Sequence, residues 1–440
     1  MSKFLTIKNK IKSFNKKIKI EGDKSISIRW ALLASQAKGK SKAINLLRSE
    51  DVLSTLDCLK KLGVKVKISK HICEVTGVGL NGFVYKKKNI LNAGNSGTLG
   101  RLILGLLVHS KKEVKIIGDK SLSKRDFTRV IKPLKKFGAN IISNSGKLPV
   151  TITGTDNPKP IKFIEDKGSA QIKSSIMLAA LNTKGITKIK AAKSRNHTEL
   201  FYKHLKIPTK VIEKKRYDYI EVKNPKKIKN FNYKIPSDIS SSAFFIVLTI
   251  LSKNSKLTIK NVNINQSRIG IIKVLKLMNI KVKFKNLKKY NGEKISDLFI
   301  KSQKNIKAIN CPTYLNSACI DEFLLIFLLA AKANGISYFK NLSELNEKES
   351  PRLIWGSKIL NEMGIKTTLT KKSLKIYGNP NLKIDKKIII KNFLKDHRVF
   401  MTCVIAALSL GGEWKISDKE SINTSFPSFL HKIRELGVKI

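Results

Sequence analysis

Apolar and polar positions along this chain fall into two recurring helical patterns. The first is an amphipathic helix with Lys on one face, ending in a short junction before a β-branched strand. It occurs six times, as LDCLKKLGVKVKI, IKPLKKFGANII, FYKHLKIPTKVI, IKVLKLMNIKVKF, SKILNEMGIKTT and LHKIRELGVKI. The junctions fall at Gly63, Gly138, Lys206, Asn279, Gly364 and Gly437, spaced by 75, 68, 73, 85 and 73 residues. The second pattern is apolar nearly all round, which predicts helices buried in a domain core, with the Lys-bearing helices outside them. Its six copies open at Lys24, Asn95, Gly168, Asp238, Asp321 and Asp396, spaced by 71, 73, 70, 83 and 75 residues. Each leads through a short turn into a strand. Two unrelated markers with one period identify an internal repeat.

The repeat predicts an α/β fold of two domains, each built from three strand-helix-strand-helix units with buried helices. The expected boundaries are 23–236 for one domain and 237–440 for the other, the latter completed by an N-terminal strand within 1–22. A cleft between two domains is a common place for a ligand.

Composition narrows the class. Of 440 residues, 42% are hydrophobic, enough for well-buried cores, so general disorder is excluded. The longest apolar runs, Ala243–Leu251 and Phe323–Ala331, fall far short of a membrane span. The five cysteines form no C-x-x-C pair and read as small buried hydrophobes in a reducing compartment. The formal charge is +57, from 88 basic and 31 acidic residues, yet only 11 of the basic residues are Arg. The Lys residues are scattered rather than gathered in stripes with aromatics, so no specific nucleic-acid partner is indicated. The charge instead implies attraction for small anions and salt-sensitive encounters. The basic first twenty residues have no apolar core, no small-residue cleavage site and no Arg, and Lys17–Ile20 alternates like a strand. The expected location is the cytoplasm.

Unusual polar groups gather at helix starts, where exposed N–H donors and the helix dipole suit anions. Lys24, Ser25 and Arg29 open the first apolar helix; Asn95, Ser96, Gly97 and Thr98 open the second, followed by Arg101; Ser169, Ala170 and Gln171 open the third. Asp321 and Glu322 open the fifth, and Asp396, His397 and Arg398 the sixth. Lys124 and Arg125, and Lys348, Glu349 and Arg352, begin helices of the other set. Singly, each is explained by capping or solvation. Together, cations from both expected domains with the carboxylates Asp321 and Glu349 suggest a site for more than one strongly anionic substrate, equipped for acid–base work.

The run GDKSISIR at 22–29 resembles the opening motif of the 3-phosphoshikimate 1-carboxyvinyltransferase (EPSP synthase) family. The similarity continues in family order through NSGTLGRL, GDKSLSKR, GSAQIKS, SRNHTE, PSDISSSAFF, Ile320–Glu322, EKESPRL, DHRVFM and SFPSF, to residue 429. The resemblance implies the enolpyruvyl-transferase inside-out α/β barrel fold, with the active site in the interdomain cleft. It implies transfer of the carboxyvinyl group of phosphoenolpyruvate to the 5-hydroxyl of shikimate 3-phosphate, on the route to chorismate and aromatic amino acids, with neither metal nor cofactor. The expected partners are these two small anions, with no nucleic acid and no membrane, and the expected state is a monomer.

By resemblance, Asp321 is the base toward the 5-hydroxyl, and Glu349 and Lys24 handle protons on the enolpyruvyl side. Lys24, Asn95, Gly97, Arg125, Gln171, Arg352, His397 and Arg398 are expected at phosphoenolpyruvate. Lys24, Ser25, Arg29, Ser169, Gln171, Ser194, Asp321 and Lys348 are expected at shikimate 3-phosphate. Four positions depart from the family pattern: Asp126 for Pro, Asn346 for Arg, Pro351 for Asp and Thr424 for Lys. Asp126 is expected to lower the positive potential beside Arg125, and Thr424 to leave one anion contact either missing or supplied elsewhere. Pro351 is tolerable in a first helical turn, where no N–H is missed. The nearest alternative is the related transferase acting on UDP-N-acetylglucosamine. That family has Lys-Asn where this chain has Lys24-Ser25, and a loop cysteine that the stretch from Cys73 to Cys311 lacks.

Overall fold

The computed structural model describes residues 4–69, 72–86 and 88–440. The chain divides into two compact units. One comprises Gly22–Pro236 with Lys289–Glu293; the other comprises the described residues up to Glu21, Ser237–Lys288 and Lys294–Ile440. Each has its own hydrophobic core.

In the first unit the helices are α1 (Lys24–Ser35), α2 (Glu50–Lys61), α3 (Gly97–Leu106), α4 (Thr128–Lys136), α5 (Ala170–Ala180) and α6 (His197–His204). In the second they are α7 (Ile239–Leu251), α8 (Gly270–Leu277), α9 (Phe323–Ala331), α10 (Arg352–Glu362), α11 (His397–Leu410) and α12 (Phe429–Glu435). The odd-numbered helices are the apolar set. They pack on one another inside their unit, and α9 and α11 are buried along their whole length. The even-numbered helices bury one face and expose Lys on the other. Burying one stripe of an amphipathic helix and all of an apolar one is what their sequences dictate.

Among the described residues six small sheets cover the inner helices, and the sheet around Val114–Ile117 illustrates the repeat. Strand Asn89–Asn92 runs parallel to Val114–Ile117, with α3 as the crossover. After α4, the hairpin of Asn140–Asn144 and Lys147–Thr153 returns antiparallel onto Val114–Ile117. The unit is therefore strand-helix-strand-helix followed by a hairpin. Both units borrow strands to complete this pattern. Asn232–Lys234 supplies the parallel edge for Lys38–Ile44, and Asn15–Lys19 does so for Lys256–Asn263. A second N-terminal strand, Leu5–Ile7, pairs antiparallel with Gly411–Ile416. The five cysteines are buried thiols, and burial pushes the Cys403 thiol well up.

The six junctions share one backbone conformation. Gly63, Gly138, Lys206, Asn279, Gly364 and Gly437 have φ of 88°, 104°, 55°, 63°, 84° and 93°. A left-handed residue after the last helical turn satisfies terminal carbonyls and turns the chain into the next strand. Gly does this without strain, Asn at small cost, and Lys206 at the largest. Gly364→Ala, whose added Cβ would meet nothing within 4 Å, should therefore lose about 1 kcal/mol from backbone strain alone. Lys206→Gly should gain up to about 1 kcal/mol. Denaturant midpoints at unchanged slope would check both, and opposite signs would refute the common role of the junctions.

Candidate active site

In the first unit, the starts of α1, α3, α5 and α6 assemble a buried polar network. Asp23 caps α1 by accepting the Ile26 N–H, and Lys24 is the first helical residue. A cation there opposes the helix dipole; Asp51 Oδ2, buried in the first turn of α2, offsets it 2.8 Å from Lys24 Nζ. Arg29 is buried and donates to Thr198 Oγ1 at 2.9 Å, Ser174 Oγ at 3.0 Å and the Ser25 carbonyl at 3.1 Å. Hydroxyl and carbonyl acceptors fix the guanidinium plane. Behind this, Lys173 and Glu199 form an ion pair of 2.6 Å. Ser169 caps α5, and Ser194 Oγ is buried with no hydrogen-bond partner among the described residues.

Gly97 opens α3 between two guanidinium groups. A Cβ there would lie 2.8 Å from Arg101 Nη1 and 3.0 Å from Arg125 Nη1. Arg101 donates to Gln171 Oε1 at 2.9 Å and to the Asp126 carbonyl at 2.8 Å, and lies over the Phe127 ring. Gln171 donates onward to Thr98 Oγ1 at 3.1 Å. Asn95 accepts from Arg125 at 3.1 Å and donates to Asp119 at 2.6 Å. These contacts bring Asn95, Gly97, Arg125 and Gln171 together.

The second unit carries a denser charge cluster. Arg352, the first residue of α10, is 2% exposed. It binds Asp396 bidentately, Nε to Oδ2 at 2.9 Å and Nη2 to Oδ1 at 3.2 Å. It also pairs with Glu349 and, at 3.4 Å, with Asp321. Burial opposes the charge, but Asp396, Glu349 and Asp321 more than offset it and hold the Arg352 guanidinium above its ordinary pKa. Asp396 is fully buried, caps α11 through the Arg398 N–H and accepts from Ser350 Oγ. Asp321 lies 3.5 Å from Lys348 Nζ and 3.9 Å from Arg398 Nη2, and Arg398 donates to its backbone carbonyl at 2.9 Å. Asp321, Lys348, Glu349, Arg352 and Arg398 are thus one cluster, with His397 at its edge. Three carboxylates balance three cations here.

The family departures occupy structural positions. Asp126 Oδ1 accepts the Thr128 N–H at 2.7 Å and so caps the start of α4. Asn346 Oδ1 accepts the Leu353 N–H at 3.2 Å, and Pro351 is the cap residue of α10. Thr424 Oγ1 donates to the Ser421 carbonyl and therefore receives the His397 Nδ1 proton at 3.1 Å. Sequence reasoning did not single out the supporting groups Asp51, Ser174, Thr198, Asp119 and Ser350. Asp119, Ser174, Thr198 and Ser350 lie inside quoted motifs, but their partners are remote in sequence.

Donors grouped at helix starts, two guanidinium groups around Gly97 and carboxylates beside cations suit small, highly charged anions and proton transfer to them. Residues 8–433 match the family EPSP synthase (3-phosphoshikimate 1-carboxyvinyltransferase). The chain is 38% identical over 441 residues to the 3-phosphoshikimate 1-carboxyvinyltransferase of Ruthia magnifica subsp. Calyptogena magnifica, covering 100% of this chain and 99% of the relative. It is 37% identical over 431 residues to that of Petrotoga mobilis, covering 96% and 98%. Its structure is similar to that of EPSP synthase from Acinetobacter baumannii, with a TM-score of 0.85 and 32% identity over 99% of this chain and 98% of that one. The enolpyruvyl transferase NikO from Streptomyces tendae shares the fold at 13% identity, with a TM-score of 0.78 over 99% and 98% of the chains.

Asp126→Ala should cost about 1 kcal/mol through the lost cap, with the KM for an anionic substrate changed less than about twofold. A large KM change without loss of stability would contradict the capping role.

Proposed function

The chain belongs to the EPSP synthase (3-phosphoshikimate 1-carboxyvinyltransferase) family, and from that premise we propose a division of labour among its site residues. The reaction transfers the enolpyruvyl group of phosphoenolpyruvate to the 5-hydroxyl of shikimate 3-phosphate. In the addition step, the hydroxyl oxygen bonds to C2 of phosphoenolpyruvate, its proton goes to a base, and C3 gains a proton. In the elimination step, C3 loses a proton, the C2–O bond to phosphate breaks, and phosphate leaves. Fixed cations must neutralise two phosphates and two carboxylates while acid–base groups act at the oxygen and at C3.

In this reading Asp321 takes the hydroxyl proton, and Glu349 and Lys24 serve C3 and the leaving phosphate. Asn95, Gly97, Arg125, Gln171, Arg352, His397 and Arg398 hold phosphoenolpyruvate, with Arg matched to its carboxylate and phosphate. Ser25, Arg29, Ser169, Gln171, Ser194 and Lys348 hold shikimate 3-phosphate. The enzyme works as a monomer in the cytoplasm, and no helix among the described residues is long and apolar enough to cross a membrane.

The observation that carries this reading is Asp321 beside Lys348, Arg352 and Arg398. An anionic substrate that takes up those donors relieves Asp321 and Glu349 of their ion pairs, leaving two carboxylates to move protons.

Asp321→Ala should lower kcat by about a hundredfold or more with an unchanged circular dichroism spectrum, because Asp396 still holds Arg352. An unchanged kcat would remove Asp321 from its role. Gly97→Ala should raise the KM for phosphoenolpyruvate about tenfold by displacing Arg101 and Arg125. A rise confined to shikimate 3-phosphate would overturn the assignment of that half-site.

A further inference from the structure

The strands Lys283–Tyr290 and Glu293–Lys301 form a hairpin whose tip, Lys289–Glu293, belongs with the unit that contains α6. Its two-residue turn is Asn291-Gly292, with φ of 48° and 91°. Two successive positive φ values make a tight turn matched to strand twist, and Asn-Gly is the pair that favours it.

The tip follows one face of α6. His197, Leu200 and His204 lie three and four residues apart, hence on one side of the helix. Glu293 Oε1 is 2.6 Å from His197 Nδ1, with the two side chains 1% and 0% exposed. A Cβ on Gly292 would lie 3.6 Å from the Leu200 carbonyl. Asn291 Nδ2 donates to His204 Nε2 at 3.3 Å, and its Oδ1 accepts the Lys234 N–H at 3.3 Å. Burial holds the His204 imidazole below its ordinary pKa, which keeps Nε2 an acceptor. Lys234 Nζ also lies 4.8 Å from the centre of the Tyr290 ring.

This face leads into the substrate machinery. His197 is the first residue of α6; Thr198 receives Arg29 and bonds Ser174 at 2.7 Å; Ser194 lies three residues upstream. His197 Nε2, like Ser194 Oγ, is buried without a hydrogen-bond partner among the described residues. The segment 194–198 thus presents polar groups that its own fold does not satisfy, and Glu293 grips it from behind.

We propose that Glu293 is a positioning residue for shikimate 3-phosphate: through His197 it fixes the segment 194–198, and with it Arg29 and Ser194. The inference rests on the substrate assignment above. It explains why a carboxylate is buried at a hairpin tip, where solvent would ordinarily take it.

The test uses the full-length enzyme, with steady-state kinetics and calorimetric titration by shikimate 3-phosphate. Glu293→Ala should raise the KM and Kd for shikimate 3-phosphate about tenfold. The KM for phosphoenolpyruvate and kcat should stay within about twofold, since the contact with His197 leads to Arg29 and Ser194 rather than to the groups assigned to phosphoenolpyruvate. Glu293→Gln, which still accepts the Nδ1 proton, should restore most of the affinity. If Glu293→Ala does not fold, Gly292→Ala loosens the same tip through its left-handed backbone and should show the same selective loss. Equal weakening of both substrates, no weakening, or a Gln variant as poor as the Ala variant would overturn the proposal. Wild-type protein that binds no shikimate 3-phosphate would count against the substrate assignment instead, so the two failures are distinguishable.

Discussion

A guanidinium group withdrawn from water constrains the second unit more than any other single feature. Arg352 is kept charged by Asp396, Glu349 and Asp321. Leaving it unpaired would cost several kcal/mol. Asp396 is therefore held in place twice, by Arg352 and by its cap on α11. Those contacts lock the starts of α10 and α11 together, and Arg398 ties both to Asp321 through its backbone carbonyl. The cluster balances three cations, Lys348, Arg352 and Arg398, with three carboxylates, Asp321, Glu349 and Asp396.

In the first unit, Arg29 is oriented by hydroxyl and carbonyl oxygens of Thr198, Ser174 and Ser25. Arg101 and Arg125 close around a glycine, where any side chain would intrude. The first unit adds carboxylates as well, Asp51 beside Lys24 and Glu199 beside Lys173, so both units combine neutral acceptors with ion pairs at their helix starts.

Much of the architecture was legible because it repeats. Six apolar helices and six junctions at one period, five of them Gly or Asn, announced an α/β array with buried helices, and the left-handed φ at all six junctions is the physical cause of that signature. Lys206 was legible only through its place in the period, since Lys is a poor left-handed residue. The family followed from ordered motifs at helix starts. What sequence could not reveal were partners brought together by folding: Asp51 for Lys24, Thr198 for Arg29, 169 residues away, and Glu293 for His197, 96 residues away. At Asp126 the structure adds a role that the Pro-to-Asp exchange does not disclose without the backbone: its carboxylate accepts the Thr128 N–H at the start of α4.

The net charge of +57 finds no concentrated use among these contacts, where a few cations are matched to carboxylates, carbonyls and hydroxyls. Chemistry resides in that placement and not in the sum. The most direct measurement of the central claim is phosphate release from phosphoenolpyruvate by the purified protein in metal-chelated buffer at moderate salt, with each candidate acceptor in turn. The account requires release that depends on shikimate 3-phosphate and is absent with UDP-N-acetylglucosamine. Release with the nucleotide sugar alone, or with neither acceptor, would contradict it.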